Sequence, residues 1–290
     1  MLSQYPLLTE NDLKSPAVIL FAAVYLLALA LALLSDPLQA LIYLGMSLGT
    51  LLLIWLILDL TQKLSVADIQ VKGQWLELVF GCLFFLVFQF TPDLYVDRQW
   101  ALGEILKKEL LYFVLPLTLL LWHGYPLSSV GFSFSHWKQD LKVAGIVLAC
   151  MAIPSVFLIS NTAKLILGGQ ISLFQALPAL FLYFIHNIVR SGLPEEFFFR
   201  VFLQTRLSHI FKSRLGGLLI VSLLFGIVHI PSYSEMTLAE AFFKSIFLQG
   251  LMGVMFGVIW DRTRSLIPGV LVHSGLNALN NVGNAVAMLF

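Results

Sequence analysis

Charge is what this sequence has least of. Asp, Glu, Lys and Arg make up 11% of its 290 residues, less than half of the ~25% usual in a soluble domain. So few charges cannot cover a surface that faces water, which excludes a soluble globular enzyme. With 59% hydrophobic residues, intrinsic disorder is excluded too. Cysteine is also scarce. Cys82 and Cys150 each sit inside an apolar run, without CxxC spacing or a neighbouring His, so both read as buried membrane residues rather than a disulfide or a metal site. The net charge of +1 gives no ground for a nucleic-acid partner. The common metalloprotease signature HExxH is absent. Residues 1–15 carry Glu10, Asp12 and a single Lys14, which is no basic n-region. The apolar run that follows has no small-residue cleavage site, so it is expected to be a retained first span.

What is present is length of apolar chain. Runs occur at 16–34, 38–58, 75–90, 110–122, 143–159, 173–189, 215–230, 238–260 and 266–290. A membrane-spanning helix needs about 20 residues. The runs are continuous rather than alternating, which argues against a β-barrel. The expectation is an all-α, polytopic helical membrane protein with about eight or nine transmembrane helices around an intramembrane cavity. Ser35-Asp36-Pro37 reads as a tight turn between the first two spans. No repeat or linker is apparent, so residues 1–290 read as one integral membrane domain. Its apolar helices fall in 1–122 and its motif-bearing core in about 127–290.

The segment from Glu195 to Lys212 is apolar yet carries Glu195, Glu196, Arg200 and Arg206. Ser191-Gly192-Leu193-Pro194 before it looks like a helix start, with both carboxylates in the first turn, where the helix dipole favours them. If this helix does not cross and every other run does, the loops divide Lys and Arg 11 to 5. Lys14, Lys63, Lys72, Lys138, Lys142, Arg200, Arg206, Lys212, Arg214, Arg262 and Arg264 fall on the richer side, and Arg98, Lys107, Lys108, Lys164 and Lys244 on the poorer, with Arg190 at the edge of a run. The richer side is expected to be cytoplasmic.

Ionisable residues at membrane depth are costly and mark candidate sites. Three clusters qualify. In Glu195-Glu196-x-x-x-Arg200, α-helical spacing puts Glu196 and Arg200 on one face as an ion pair and turns Glu195 about 100° away, free for chemistry. Phe225-Gly-Ile-Val-His229 ends an apolar run just before Pro231. His273-Ser-Gly-Leu-Asn277 lies in the last run, with Asn281 and Asn284 extending its polar stripe. Read singly, these clusters are a helix start, a core histidine and interhelical hydrogen bonds. Together they hold a spare carboxylate, two histidines and an amide, the set that hydrolysis calls for. A carboxylate moves a proton from water to a leaving amine, and His and Asn donate to a developing oxyanion. Alternatively, Glu195, His229 and His273 could bind Zn as a His₂Glu set with an open position, Glu196 acting as base.

These clusters resemble the motifs EExxxR, FxxxH and HxxxN of the CPBP family, the CAAX proteases and bacteriocin-processing enzymes. All three are present in order over about residues 175–290, and the stretch from Leu127 to about Gly145 is similar to the loop before the family's core. The resemblance implies an intramembrane endopeptidase with a cavity open to the cytoplasmic side. It assigns water activation to Glu195 with His229, the oxyanion site to His273 and Asn277, and a structural role to Glu196 and Arg200. It leaves open whether the mechanism uses a metal. The expected partners are the lipid bilayer and a membrane-associated peptide or protein, prenylated or not, and the expected location is a prokaryotic cell membrane. The competing readings are a non-catalytic scaffold or bacteriocin-immunity protein that keeps the fold, and a transporter. A transporter would show polar broken helices in both halves. His123, His136, His186 and His209 lie outside the motifs and are expected to be dispensable.

Overall fold

A computed structural model describes residues 15–62, 64, 69–91, 102–154 and 162–289. Expectations for Glu10, Asp12, Lys14, Lys63, Arg98 and the end of the 143–159 run lie outside the described residues. Among the described residues there are helices and no strand. The helices are α1 (Pro16–Ser35), α2 (Pro37–Leu60), α3 (Gln74–Phe90), α4 (102–122), α5 (Trp137–Pro154), α6 (Thr162–Leu167), α7 (Leu173–Ile210), α8 (Arg214–Tyr233), α9 (Leu238–Thr263), α10 (Leu266–Asn280) and α11 (Val282–Leu289).

Helices α1 and α2 show how local chemistry sets the boundaries. Ser15 accepts from Ala17 N, and Pro16 takes the first helical position, where its missing N–H costs nothing. Asp36 is extended, at φ −151° and ψ 94°. Its N–H closes α1 on Ala32 O at 2.8 Å, and its carboxylate caps α2 by accepting from Gln39 N at 3.0 Å. The turn expected at Ser35-Asp36-Pro37 is therefore a single residue serving both helices. Leu26, Leu34, Leu52 and Trp55 are exposed. Only a hydrocarbon environment makes such a surface favourable. Cys82 and Cys150 are also exposed. They are not buried as the sequence suggested, because a thiol is apolar enough to face lipid.

Five helices, α1, α2, α7, α8 and α9, are long and apolar enough to cross a membrane, so this criterion does not reach the expected eight or nine. Helix α3 is apolar but has 17 residues. Helix α4 carries Glu104, Lys107, Lys108 and Glu109, α5 carries Lys138, Asp140 and Lys142, and α10 ends at Asn280 after 15 residues. The division of basic residues also changes meaning. Lys108, Arg200 and Arg206, counted as loop charges, lie within helices, and the positive-inside rule concerns loops.

The largest departure is at Pro194. No helix starts there: α7 runs unbroken for 38 residues, about 57 Å at 1.5 Å per residue. A mid-helix proline lacks a donor, and its ring presses on the carbonyl four residues back. Here the backbone widens into π-helical turns at Ile188–Gly192 and Phe197–Gln204, in which each carbonyl pairs five residues on. Pro194 is accommodated without ending the helix. As a result Glu195 and Glu196 stand in a helix interior and gain nothing from a terminal dipole.

The chain falls into two compact units, 1–79 with 199–264 and 80–198 with 265–290. The expected boundary near residues 122–127 lies inside the second. In the first unit α1 and α2 pack on α8 and α9, around Tyr25, Tyr43, Phe243 and Phe247. Polar ties hold the helix ends: Arg214 Nε donates to Asp261 Oδ1 at 2.8 Å, and Arg262 Nη2 donates to Thr61 O at 3.0 Å. In the second unit α10 packs on α5 and on α7, and α11 also packs on α7. There Ala176, Ala179 and Tyr183 meet Ala278, Val282 and Ala285.

Within the first unit α3 is joined to α7 by a fully buried ion pair. Arg206 Nε donates to Glu77 Oε2 at 2.8 Å, with both side chains at most 1% exposed. Arg206 Nη1 also donates to the carbonyls of Val201 and Phe202, in the stretch where the wide turns end. Removing one partner of such a pair leaves a buried charge, at a cost of about 3–5 kcal/mol. Glu77→Ala should therefore lower the thermal unfolding midpoint of the detergent-solubilised protein well below that of wild type. An unchanged midpoint would show that the pair does not hold α3 in place.

Candidate active site

In the second unit, α7 supplies Glu195 and Glu196, α10 supplies His273 and Asn277, and α4 supplies Glu104 and Lys108. Helix α10 starts at Leu266, whose N–H donates to Gly131 O at 3.1 Å. Gly131 has φ +94°, a left-handed conformation that glycine adopts freely. The stretch that resembled the family's pre-core loop thus anchors the start of the helix that carries the third motif.

Helices α7 and α10 approach at small residues. A Cβ on Gly192 would press on Ser274 Oγ and would stand 3.1 Å from the backbone oxygen of Val270. A Cβ on Gly269 would stand 3.3 Å from Glu196 Oε2. One turn from Gly269 and Val270 comes His273, and one turn further Asn277, so the i, i+4 spacing of the third motif lays a single stripe along α7.

This stripe partners the carboxylates. Glu195 is 6% exposed and Glu196 1%, and a buried carboxylate needs compensation from side chains. His273 Nδ1 lies 2.9 Å from Glu196 Oε1. An ionised carboxylate only accepts, so Nδ1 donates. That bond fixes the ring and leaves Nε2 facing Glu195, 3.8 Å from Oε2, a gap suited to a bridging water. The other oxygen, Glu195 Oε1, accepts from Lys108 Nζ at 2.7 Å. Lys108 Nζ also reaches Glu104 Oε1 at 2.8 Å, and Arg190 Nη2 donates to Glu104 Oε2 at 3.0 Å. Asn277 Nδ2 donates to Ser191 Oγ at 2.8 Å. An amide has two N–H groups, and Ser191 takes one.

The first unit holds Arg200, Phe225 and His229. His229 follows the end of the α-helical part of α8, where carbonyls lack intrahelical partners. Its Nδ1 lies 2.6 Å from Phe225 O. A carbonyl accepts, so Nδ1 carries the hydrogen. The His229 ring lies 4.7 Å from the Phe225 ring, and the Arg200 guanidinium carbon lies 5.0 Å from the same ring and 5.8 Å from Phe256. One aromatic ring thus carries the arginine of the first motif and the histidine of the second, and this explains why FxxxH needs both ends.

The candidate residues therefore divide. Glu195, Glu196, His273 and Asn277 gather in the second unit, Arg200 and His229 in the first. Glu196 and Arg200, expected as an ion pair, fall in different units. The contacts described for these two residues are His273 for Glu196 and the Phe225 and Phe256 rings for Arg200. Among the described residues no group of three His, Cys, Asp or Glu side chains is gathered to hold a metal ion. His209 Nε2 meets Ile69 O at 2.8 Å and His186 stacks on Tyr183, both outside the gathered set. Sequence reasoning missed Lys108, Glu104, Arg190 and Ser191. A signal existed in the i, i+4 spacing of Glu104 and Lys108 at the edge of an apolar run.

The close approach of α7 and α10 is testable. Gly192→Ala should cost about 1–3 kcal/mol through overpacking, seen as a lower unfolding midpoint. Gly45→Ala is the control, since its Cβ would meet nothing within 4 Å. Equal midpoints for the two variants would rule out the tight contact.

Residues 177–279 match the family described as type II CAAX prenyl endopeptidase Rce1-like. The match takes in all three motifs and stops short of α4. No curated protein and no solved structure matches the chain.

Proposed function

Residues 177–279 belong to the CPBP family of CAAX-type proteases, and from that premise we propose that the protein is an intramembrane endopeptidase in which Glu195 is the general base. One observation carries this reading. Glu195 is a buried carboxylate in the interior of an apolar helix, with an ammonium on Oε1 and an imidazole facing Oε2.

The chemistry follows from the two oxygens. A water held at Oε2 gives its proton to Glu195 as its oxygen attacks the scissile carbonyl carbon. His273, in the form that carries a proton on Nε2 as well as on Nδ1, and the second N–H of Asn277 donate to the oxyanion that forms, an interaction that strengthens in a dry site. Glu195 then returns the proton to the departing nitrogen, the C–N bond breaks, and a carboxylate and an amine remain. Glu196 holds the His273 ring through Nδ1. The motif resemblance assigns His229 a part in activating the water. General acid–base catalysis of this kind contributes about 10²–10⁴-fold.

The proposed route uses no metal. What supports that choice is Lys108, whose ammonium on Oε1 repels a second cation at Glu195. The substrates of this reading are membrane-associated peptides or proteins, with prenylated CAAX sequences the first to try. Its setting is the bilayer of a prokaryotic cell membrane, with the site reached from the cytoplasmic side.

The test is cleavage by purified protein in liposomes, using prenylated CAAX peptides and a general peptide library. Glu195→Gln and His229→Ala should each lose at least ~10²-fold in kcat while eluting as folded protein, and wild type should keep its rate in a strong chelator. Activity retained in Glu195→Gln would remove the general base. A rate abolished by chelator and restored by zinc would replace the metal-free route.

A further inference from the structure

The three motifs all lie within the matched segment, yet the cation that touches Glu195 does not. Lys108 comes from α4, 87 positions earlier in the chain, outside the 177–279 match. It is not a surface lysine that happens to reach a carboxylate: its side chain is 13% exposed and that of Glu195 7%. Burying a flexible ammonium is costly, and here the cost is met from both sides. Nζ lies 2.7 Å from Glu195 Oε1 and 2.8 Å from Glu104 Oε1. Arg190, on the same helix as Glu195, closes the series by donating to Glu104 Oε2 at 3.0 Å and to Tyr183 OH at 3.3 Å. The order Glu195, Lys108, Glu104, Arg190 alternates in sign and sums to zero.

The geometry points to Lys108 as a positioning residue for the general base, held in place by Glu104 and Arg190. Its contact pins one carboxylate oxygen and so fixes the rotation of the Glu195 side chain. Oε2 then faces His273 Nε2. Removing the pin takes away the contact that sets Oε1, and with it the alignment of the carboxylate on the imidazole. A misplacement of ~1 Å at a reacting group costs on the order of 10²-fold in rate. Among the described residues, the groups about Glu195 include Glu196 beside it, Arg190 five residues before it on α7, Tyr112 one turn after Lys108 on α4, and His273 from α10. Lys108 holds Oε1 while Oε2 faces the imidazole. On this inference the apolar N-terminal half of the chain is not only a lipid-facing frame: α4 completes the site.

The inference rests on the peptidase reading for its kinetic part and on geometry alone for its contact. The experiment therefore has two arms, both on the full-length protein in liposomes. In the first, dicyclohexylcarbodiimide, which enters apolar sites, is used to activate Glu195. The neighbouring Lys108 amine then forms an isopeptide, with loss of the carboxyl oxygen to the urea product, and mass spectrometry of digests detects the joined peptides. Lys108→Arg and Glu195→Gln should each abolish that product, and its absence from wild type overturns the inference without touching the peptidase reading. In the second arm, cleavage of a prenylated CAAX peptide is measured for Lys108→Met, Lys108→Arg and Glu104→Gln. Lys108→Met should lose ~10²-fold in kcat with KM within about twofold. Lys108→Arg, which keeps a cation on Oε1, should recover to within about tenfold of wild type, and Glu104→Gln should fall between them. An unchanged kcat in Lys108→Met, a change in KM alone, or no recovery in Lys108→Arg overturns the inference. If Lys108→Met does not fold, the Arg and Gln variants decide it. An isopeptide in a wild-type protein that cleaves neither the prenylated peptide nor a general peptide library overturns the peptidase reading, and the positioning role with it.

Discussion

The constraint on which the site depends is a buried carboxylate in the middle of an apolar helix. A glutamate at a helix start can rely on the terminal N–H groups and the dipole. Glu195 and Glu196 cannot, because α7 passes through Pro194 without stopping. Their charge has to be met by side chains brought from elsewhere. In the second unit it is met twice, by Lys108 on Glu195 and by His273 on Glu196. Each partner then acquires a second role. The lysine leaves one carboxylate oxygen facing the imidazole, and the bond to Glu196 leaves one imidazole nitrogen facing that oxygen. The two glutamates of the first motif thus differ by partner more than by helical phase.

The same economy of contacts shapes the first unit. Arg200 lies over Phe225, and His229 bonds to the carbonyl of Phe225 while packing against its ring. A planar guanidinium over an aromatic face is a contact that lysine cannot reproduce. The arginine, phenylalanine and histidine therefore behave as one assembly. In it the tautomer of His229 is set by the end of its own helix and the ring is held by its neighbours. The π-helical turns in α7 belong to the same account. They absorb a proline and loosen carbonyls that Arg206 then satisfies, so backbone irregularity is confined to places where side chains repair it.

The candidate residues were readable from the sequence because polar side chains are costly in an apolar chain and stand out from it. The last histidine motif was also readable in its spacing, since α10 is regular and places His273 and Asn277 on one stripe. The start expected at Pro194 rested on the ordinary behaviour of proline. Lys108 looked like a loop charge because sequence gives no sign that a lysine 87 residues away meets a glutamate. The span count suffered likewise: hydropathy ranks runs by composition, whereas α4 and α5 carry charges in their first turns and α10 ends early at Asn280.

The sequence by itself determined that the chain is helical and belongs in a membrane, because hydrophobic composition and backbone hydrogen bonding admit little else. It also determined which polar residues stand out from an apolar chain, and the helix caps at Ser15 and Asp36, which are local. The tertiary structure alone decided which partner each charged group has. Charge compensation in an apolar interior is settled across helices distant in sequence, and no local pattern records which helix will supply it.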